Sequence, residues 1–378
     1  MEFKPQKKLG FGLMRLPLRD PAKDSDIDIE RMKQMVDHFL EQGFTYFDTA
    51  WMYNGFASEK AVKEALTSRH PRETYTLATK LHADFISTEE DRDRIFNEQL
   101  EKTGAGYFDY YLIHDIEQVF IDKYESLHVF DWILDKKKQG LVKHVGFSFH
   151  DTPELLDKVL TDHPEMEFVQ LQINYLDWED PRIQSRACYE TAVRHNKPVI
   201  VMEPVKGGTL AMVPEEVKRQ FEAYDSKMSV PSWAIRFAAS LPNVMVVLSG
   251  MSTPEQMQDN TGYMKEFVPL SETEKELCFH AAALIRNDVT VPCTACSYCT
   301  DGCPMNIAIP RYFKLYNSDK AESKQQDNAV ISLDKYSDLT SQFGGPADCI
   351  ECGSCEGVCP QHLPIRALLK ETAGYYGE

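Results

Sequence analysis

The sequence has little positive charge to set against its negative charge. Lys and Arg number 41 against 59 Asp and Glu in 378 residues, a formal net charge of -18 at pH 7. Such an excess repels phosphate backbones and anionic lipid surfaces, so neither nucleic acid nor a membrane is expected as a partner. Long apolar runs are missing too. No stretch approaches the roughly 18 apolar residues of a membrane span, and Met1 to Leu9 is polar and basic with no apolar segment behind it, so a cytoplasmic protein is expected. Cysteine is scarce outside the C-terminal quarter. Ten cysteines in a chain this long are too few for a disulfide scaffold, and only Cys188 and Cys278 lie outside two tight clusters. Those two, alone in helical segments, read as buried structural thiols.

What is present is a globular composition, 43% hydrophobic and 26% charged, in a chain long enough for one large domain and one small one. From Leu9 to about Gly250, short β-like runs alternate with longer segments of helical period, the pattern of βα units around a parallel sheet. Eight such runs are read: Leu9 to Arg15, Thr45 to Ala50, Thr76 to Lys80, Tyr110 to His114, Lys143 to Ser148, Phe168 to Gln172, Val199 to Pro204 and Val244 to Gly250. Amphipathic stretches such as Ser58 to Leu66 and Lys123 to Lys138 lie between them, and Gly43 and Gly140 stand where helices should stop. A doubly wound open sheet would use the same elements but needs a Gly-rich loop after its first strand, and Gly10 and Gly12 have no third partner. Eight units favour a closed α/β (β/α)8 barrel over residues 1–270. A helical linker is expected over 271–289, followed by a small, mainly helical domain over 290–378.

The small domain holds the sharpest signal. Cys293, Cys296, Cys299 and Cys303 precede Pro304, and Cys349, Cys352, Cys355 and Cys359 precede Pro360, so the run C-x2-C-x2-C-x3-C-P occurs twice. This spacing wraps three thiolates around one four-iron cluster and sends the fourth to the other cluster of a pair. Zinc sites instead use C-x2-C pairs set apart by a longer spacer. Two [4Fe-4S] clusters are therefore expected, with Cys303 crossing to the second group and Cys359 to the first. The segment resembles the two-cluster ferredoxins, and its long helical insert is closer to the helical ferredoxin domains of respiratory and heterodisulfide enzymes.

On a (β/α)8 barrel, reactive groups sit where strands end and βα loops begin. Asp48 and Tyr53 follow the second run, Lys80 ends the third and His114 ends the fourth. Singly, Lys80 reads as a strand-end charge, His114 as a core histidine and Tyr53 as a loop aromatic. Together, with Ser58 and Glu59 completing D-T-A-x2-Y-x4-S-E, they resemble the aldo-keto reductases over residues 8 to about 262. The resemblance implies an Asp-Tyr-Lys-His tetrad for carbonyl reduction. Tyr53 would protonate the alkoxide formed by hydride addition, Lys80 would lower the Tyr53 pKa, Asp48 would fix Lys80, and His114 would donate a hydrogen bond to the carbonyl oxygen.

The same resemblance implies NAD(H) or NADP(H). Gly12, Leu13 and Met14 would line the nicotinamide pocket, and Ser148 and Gln172 would hold the carboxamide. Gly207 and Gly208 would lie along the pyrophosphate, and Ser252 and Thr253 would start a phosphate-facing helix. Phe149 replaces an Asn, Met202 a stacking Tyr, and Gly250 and Gln256 the cations of NADP-binding members, so NADH is expected at least as readily as NADPH.

Nicotinamide delivers two electrons as hydride and iron-sulfur clusters take one at a time. A flavin or a radical-stabilising substrate would join the two regimes. The leading expectation is a carbonyl or enone reductase acting on a small molecule, whose clusters exchange electrons with an external carrier such as ferredoxin. The alternatives are an iron-sulfur reductase that uses no nicotinamide and a non-catalytic iron-sulfur protein with a scaffold barrel. Substrate and oligomeric state are not legible. If the fourth cysteine of each run crosses over, Cys303→Ala should perturb the electron paramagnetic resonance signal of the second cluster more than that of the first; loss confined to the first would refute the crossing.

Overall fold

The computed structural model describes residues 4–21, 23–325 and 331–378. Eight parallel strands close a barrel in chain order: β1 (Leu9–Gly12), β2 (Tyr46–Asp48), β3 (Thr76–His82), β4 (Phe108–Ile116), β5 (Val142–Phe149), β6 (Phe168–Gln172), β7 (Val199–Met202) and β8 (Val244–Ser249), with β8 pairing back onto β1. Each expected run became a strand. β1 and β2 stop early because the chain turns over the rim, where Leu13 N–H bonds Asp48 O at 2.8 Å. β4 extends to nine residues, all buried.

Side chains alternate across a strand, and this sorts the barrel into layers. Tyr46, Ala78, Leu112, Phe168, Ile200 and Leu248 belong to an apolar cluster that fills its interior. Two residues further along the same strands stand Asp48, Lys80, His114, Gln170 and Met202. The polar layer therefore sits at the C-terminal rim on a dry plug.

The surrounding helices follow from pattern and caps. In Ile29–Glu41, the Asp28 side chain accepts from Arg31 N–H, and Met32, Met35, Val36 and Phe39 bury one face against the barrel. The segment expected as a linker is the helix Glu272–Asp288, started by a capping box of Ser271 and Glu274. It packs as part of the barrel, with Cys278, Ala281, Ala282 and Ile285 sharing a core with Trp233, Phe237 and Tyr175. Burial pushes the Cys278 and Cys188 thiols up to about 12.

The C-terminal domain has its own core, in which Tyr312, Phe313 and Tyr316 of Ile309–Gln325 meet Ile365, Leu369 and Tyr376 of Ile365–Tyr376. Its two cysteine runs repeat one backbone programme. Positive φ occurs at Ala295, Ser297 and Asn306 and again at Glu351, Gly353 and His362, each pair at the same offset in the two runs. Their surroundings differ. The first run lies on the barrel rim, where Arg15 Nη2 donates to Thr294 O at 2.8 Å, while the second points outward, with Cys352 exposed. His362 adds a bond to His150 O at 2.8 Å. Among the described residues, no helix is long and apolar enough to cross a membrane.

Candidate active site

The strand ends bring the four tetrad residues together. Lys80 Nζ donates to Asp48 Oδ1, to Thr49 O at 2.8 Å and to Tyr53 Oη at 3.4 Å. The His114 ring meets the Tyr53 ring edge-on at 5.9 Å between centroids. Local structure sets Tyr53 in place. Asn54, Gly55 and Phe56 take positive φ and reverse the chain directly after it, and Ser58 then ties back by bonding Thr49 Oγ1 at 2.8 Å and Leu13 O at 3.0 Å. Glu59 accepts from Thr79 and Gln99, each at 2.8 Å. The Ser-Glu pair of the motif thus braces the loop from behind.

Burial decides the protonation states. Burial of Asp48 pushes its carboxyl up, and Lys80 pulls it down only in part. Burial of Lys80 works against its charge, but Asp48 and Tyr53 hold the ammonium above its ordinary range. Three oxygens facing one nitrogen favour the ion pair, and that is the state the geometry supports. Burial raises the Tyr53 phenol above its usual value, and the lowering by Lys80 does not overcome it. The expectation that Lys80 lowers the Tyr53 pKa holds for the direct interaction and not for the net shift. Burial, with His82 and Lys80 beside it, drives His114 well below its ordinary range. His114 is therefore neutral, its Nδ1 is buried without a partner, and Nε2 is the nitrogen left to face a ligand.

A cavity of about 310 Å³ opens above the tetrad. Gly12, Met14, Asp48, Tyr53, His114, Gln172, Gly207, Gly208 and Ser252 line it. Three other expected cofactor residues lie outside its lining. Leu13 is buried, Ser148 Oγ accepts from Asp115 N–H at 2.8 Å, and Thr253 caps the helix Pro254–Met264 by accepting from Gln256 N–H. The cavity runs from the tetrad past Met202 and the two glycines to Ser252, Gln256 and Asn260. Gln256 folds back so that its Oε1 accepts from Ser252 N–H at 2.7 Å. Gly207 has a reason of its own. At φ +61, a Cβ there would collide with the Thr294 carbonyl, so glycine is what lets the C-terminal domain seat on this loop.

Several lining residues carry no sequence signal that ties them to the barrel. Thr294, Cys296, Tyr298, Pro360 and Gln361 all reach the cavity from the C-terminal domain. Lys206, 2% exposed, pairs with Asp177 Oδ1 at 2.5 Å and bonds Gln361 Oε1 at 2.9 Å. Glu203 bonds Arg15 at 3.3 Å and Gly207 N–H at 2.5 Å. Only the fold brings these groups together.

Two smaller cavities hold the clustered thiols. Cys293, Cys296, Cys299 and Cys359 line one, walled by Ile309, Phe313, Leu363 and Ile365. Cys349, Cys352, Cys355 and Cys303 line the other, with Met305, Ile307 and Leu369. Each has three thiols from one run and the fourth from the other. Four thiols around a largely apolar space are a donor set suited to a four-iron cluster.

Residues 8–278 match the aldo/keto reductase family, and residues 292–363 match a 4Fe-4S dicluster domain. An aldo-keto reductase of Mycolicibacterium paratuberculosis is 28% identical over 244 residues, 63% of this chain and 77% of its own length. A component of the ion-translocating oxidoreductase complex of Buchnera aphidicola is 30% identical over 73 residues, 19% of this chain and 12% of its own. Among solved structures, a Klebsiella pneumoniae aldo-keto reductase in complex with NADPH superimposes with a TM-score of 0.58 at 16% identity, covering 73% of this chain and 94% of that one. At that identity the likeness shows the fold alone. The comparisons give no support to a flavin.

Lys80→Met should cost about 3–5 kcal/mol at neutral pH, because it strands the Asp48 carboxylate in a dry site. With the ammonium gone, burial alone sets the Asp48 pKa and raises it. A carboxyl raised on folding favours the native state below its unfolded pKa and loses that advantage as pH rises, so the deficit should shrink on acidification toward about pH 4. A pH-independent deficit in chemical denaturation would contradict the ion pair.

Proposed function

The chain belongs to the aldo/keto reductase family and carries a C-terminal 4Fe-4S dicluster domain, and from that premise we propose that it reduces a carbonyl or enone on a small molecule, with a nicotinamide dinucleotide in the barrel cleft and its clusters exchanging electrons with an external carrier. One observation carries this reading: Cys296 and Tyr298 of the first cysteine run line the same cavity as Tyr53 and His114. In this reading, Cys293, Cys296, Cys299 and Cys359 hold the first cluster, and Cys349, Cys352, Cys355 and Cys303 the second. When bound, the nicotinamide supplies hydride and the clusters supply or accept single electrons.

The chain's own groups orient the substrate oxygen and deliver the proton. His114 Nε2–H donates to the substrate oxygen and holds it toward Tyr53, a role that needs the neutral ring burial enforces. Tyr53 Oη–H gives its proton to that oxygen as negative charge develops there. Lys80 stabilises the phenolate left behind, and Asp48 keeps the ammonium pointed at it. The apolar plug below and the C-terminal domain above limit water, which strengthens each of these interactions. Gly250 and Gln256 present no cation to a 2′-phosphate, so NADH is expected to serve at least as well as NADPH. A second reading, in which the clusters are the sole electron source, draws on one fact: the Gln172 amide and the Ser148 hydroxyl already have partners within the protein.

The test is an anaerobic titration of the cluster-loaded protein with NADH and then NADPH, following the nicotinamide and cluster absorption together. With the substrate present to convert hydride into single electrons, binding with oxidation of the nucleotide and bleaching of the clusters is expected. Binding without bleaching would make the clusters structural or regulatory, and absence of binding would leave the clusters as the electron source. Separately, Tyr53→Phe should lower kcat by at least about 100-fold with cluster absorption intact. Because burial raises the Tyr53 pKa, the wild-type rate of reduction should fall only above the ordinary phenol value of about 10, where the phenol loses its proton. An alkaline limb below that value would show that Lys80 outweighs burial at Tyr53.

A further inference from the structure

The barrel glutamine that family resemblance assigns to the nicotinamide carboxamide is already holding a carboxamide. Gln172 Nε2 donates to Gln361 Oε1 at 3.1 Å, and Gln361 Nε2 donates back to Gln172 Oε1 at 2.7 Å. Both side chains are buried, at 5% and 3% exposure. Primary amides paired in this reciprocal way satisfy one donor and one acceptor on each partner. The second Nε2 hydrogen of Gln172 goes to Asp177 Oδ2 at 2.7 Å, and Gln361 Oε1 also accepts from Lys206 at 2.9 Å. The group that Gln361 presents to Gln172, a terminal CONH2, is the group that nicotinamide carries on its ring. Gln361 lines the large cavity and also the first thiol cavity, and it stands two residues beyond Cys359.

We propose that Gln361 is an internal stand-in for the nicotinamide carboxamide. The cofactor engages Gln172 by displacing Gln361, and this couples occupancy of the barrel to the Cys359–Gln361 segment at the first cluster. The inference rests on the nicotinamide reading above and specifies how it is regulated. In the closed state Gln361 blocks the carboxamide subsite and ties the cluster domain to the rim. When the cofactor enters, Gln361 gives up its two bonds to Gln172 and retains Lys206, so the displaced amide is not left without a partner. A gate of this kind lowers apparent cofactor affinity by the free energy of the displaced pair. It also makes the effect reciprocal, because whatever stabilises the closed position of the segment weakens the cofactor by the same factor.

The test uses the full-length, cluster-loaded protein and Gln361→Met, which keeps volume and removes the amide. NAD+ is the probe, because it cannot reduce the clusters and binding is read without turnover. Displacing two amide bonds of ordinary net strength corresponds to a roughly 30-fold weakening in the wild type. Gln361→Met should therefore bind NAD+ roughly 30-fold more tightly by equilibrium dialysis. In the wild type, NAD+ should also change the visible circular dichroism of the oxidised clusters, and Gln361→Met should lose that response. A residue that only glued the domains together would give the opposite sign in the first measurement. If Gln361→Met fails to retain iron, Gln361→Glu keeps the shape and the Lys206 contact, lacks the N–H that Gln172 Oε1 accepts, and should shift affinity in the same direction by less. Equal or weaker binding by an iron-replete variant overturns the stand-in and leaves the cofactor reading intact. Absence of NAD+ and NADP+ binding by both wild type and variant overturns the cofactor reading and the stand-in with it.

Discussion

Lys206 puts a positive charge where water does not reach, and the arrangement of the two domains depends on how that charge is compensated. Its Nζ faces Asp177 Oδ1 at 2.5 Å and Gln361 Oε1 at 2.9 Å. Asp177 also accepts from Gln172 and Asn174, each at 2.7 Å, and Asn174 donates on to Glu203 O at 3.0 Å. The loops after β6 and β7 and the turn after Cys359 thus share one buried polar network. Taking any member out leaves another unpaired in a low-dielectric setting, which costs more than the bond itself. Backbone cost is accepted for the same end, since Glu203 and Lys206 both sit at positive φ. The first thiol cavity is consequently fixed over the mouth of the barrel.

Below that seam, the barrel supplies a second constraint. Strand alternation stacks a polar ring on an apolar plug, so every ionisable group in the ring is stripped of water at once. The consequences differ by group. Lys80 keeps its charge because three oxygens converge on it, His114 loses its charge because burial is reinforced by Lys80 and the His82 and His150 imidazoles, and Tyr53 keeps its proton because burial outweighs the ammonium. One desolvating environment therefore yields a neutral donor, a protonated acid and a fixed cation from neighbouring strand ends, the division of roles that proton delivery to an oxygen requires.

Some of this was legible in the sequence and some was not, for reasons of range. The strands carry their own signal in runs of apolar and β-branched residues, and Gly43 and Gly140, at φ 79° and 75°, end helices where expected. The cysteine spacing is likewise a local ruler, because the ligands of one run must reach one cavity within a few residues. The tetrad is non-local, yet Asp48, Lys80 and His114 lie at the C-terminal ends of legible strands and Tyr53 follows the second of them, so strand order and one short loop assemble it. Gln361, Lys206 and Thr294 have no such ruler. Gln361 in isolation is a polar residue after Pro360, and only its place opposite Gln172, 189 positions away, gives it meaning. The reading of Gly207 as a pyrophosphate contact did not anticipate Thr294, because a glycine signals close approach without saying what approaches.

The two cysteine runs place one local programme in two environments. Spacing and backbone angles repeat, so the difference between the cavities comes from the residues between the thiols. In the first run these are Thr294 and Tyr298, which seat on the barrel and close the active-site cavity. Their counterparts are Ile350, 60% exposed, and Ser354. Two cavities built to the same ruler therefore sit in different settings, one roofing the barrel and one facing outward, and the apolar side chain of Ile309 borders both.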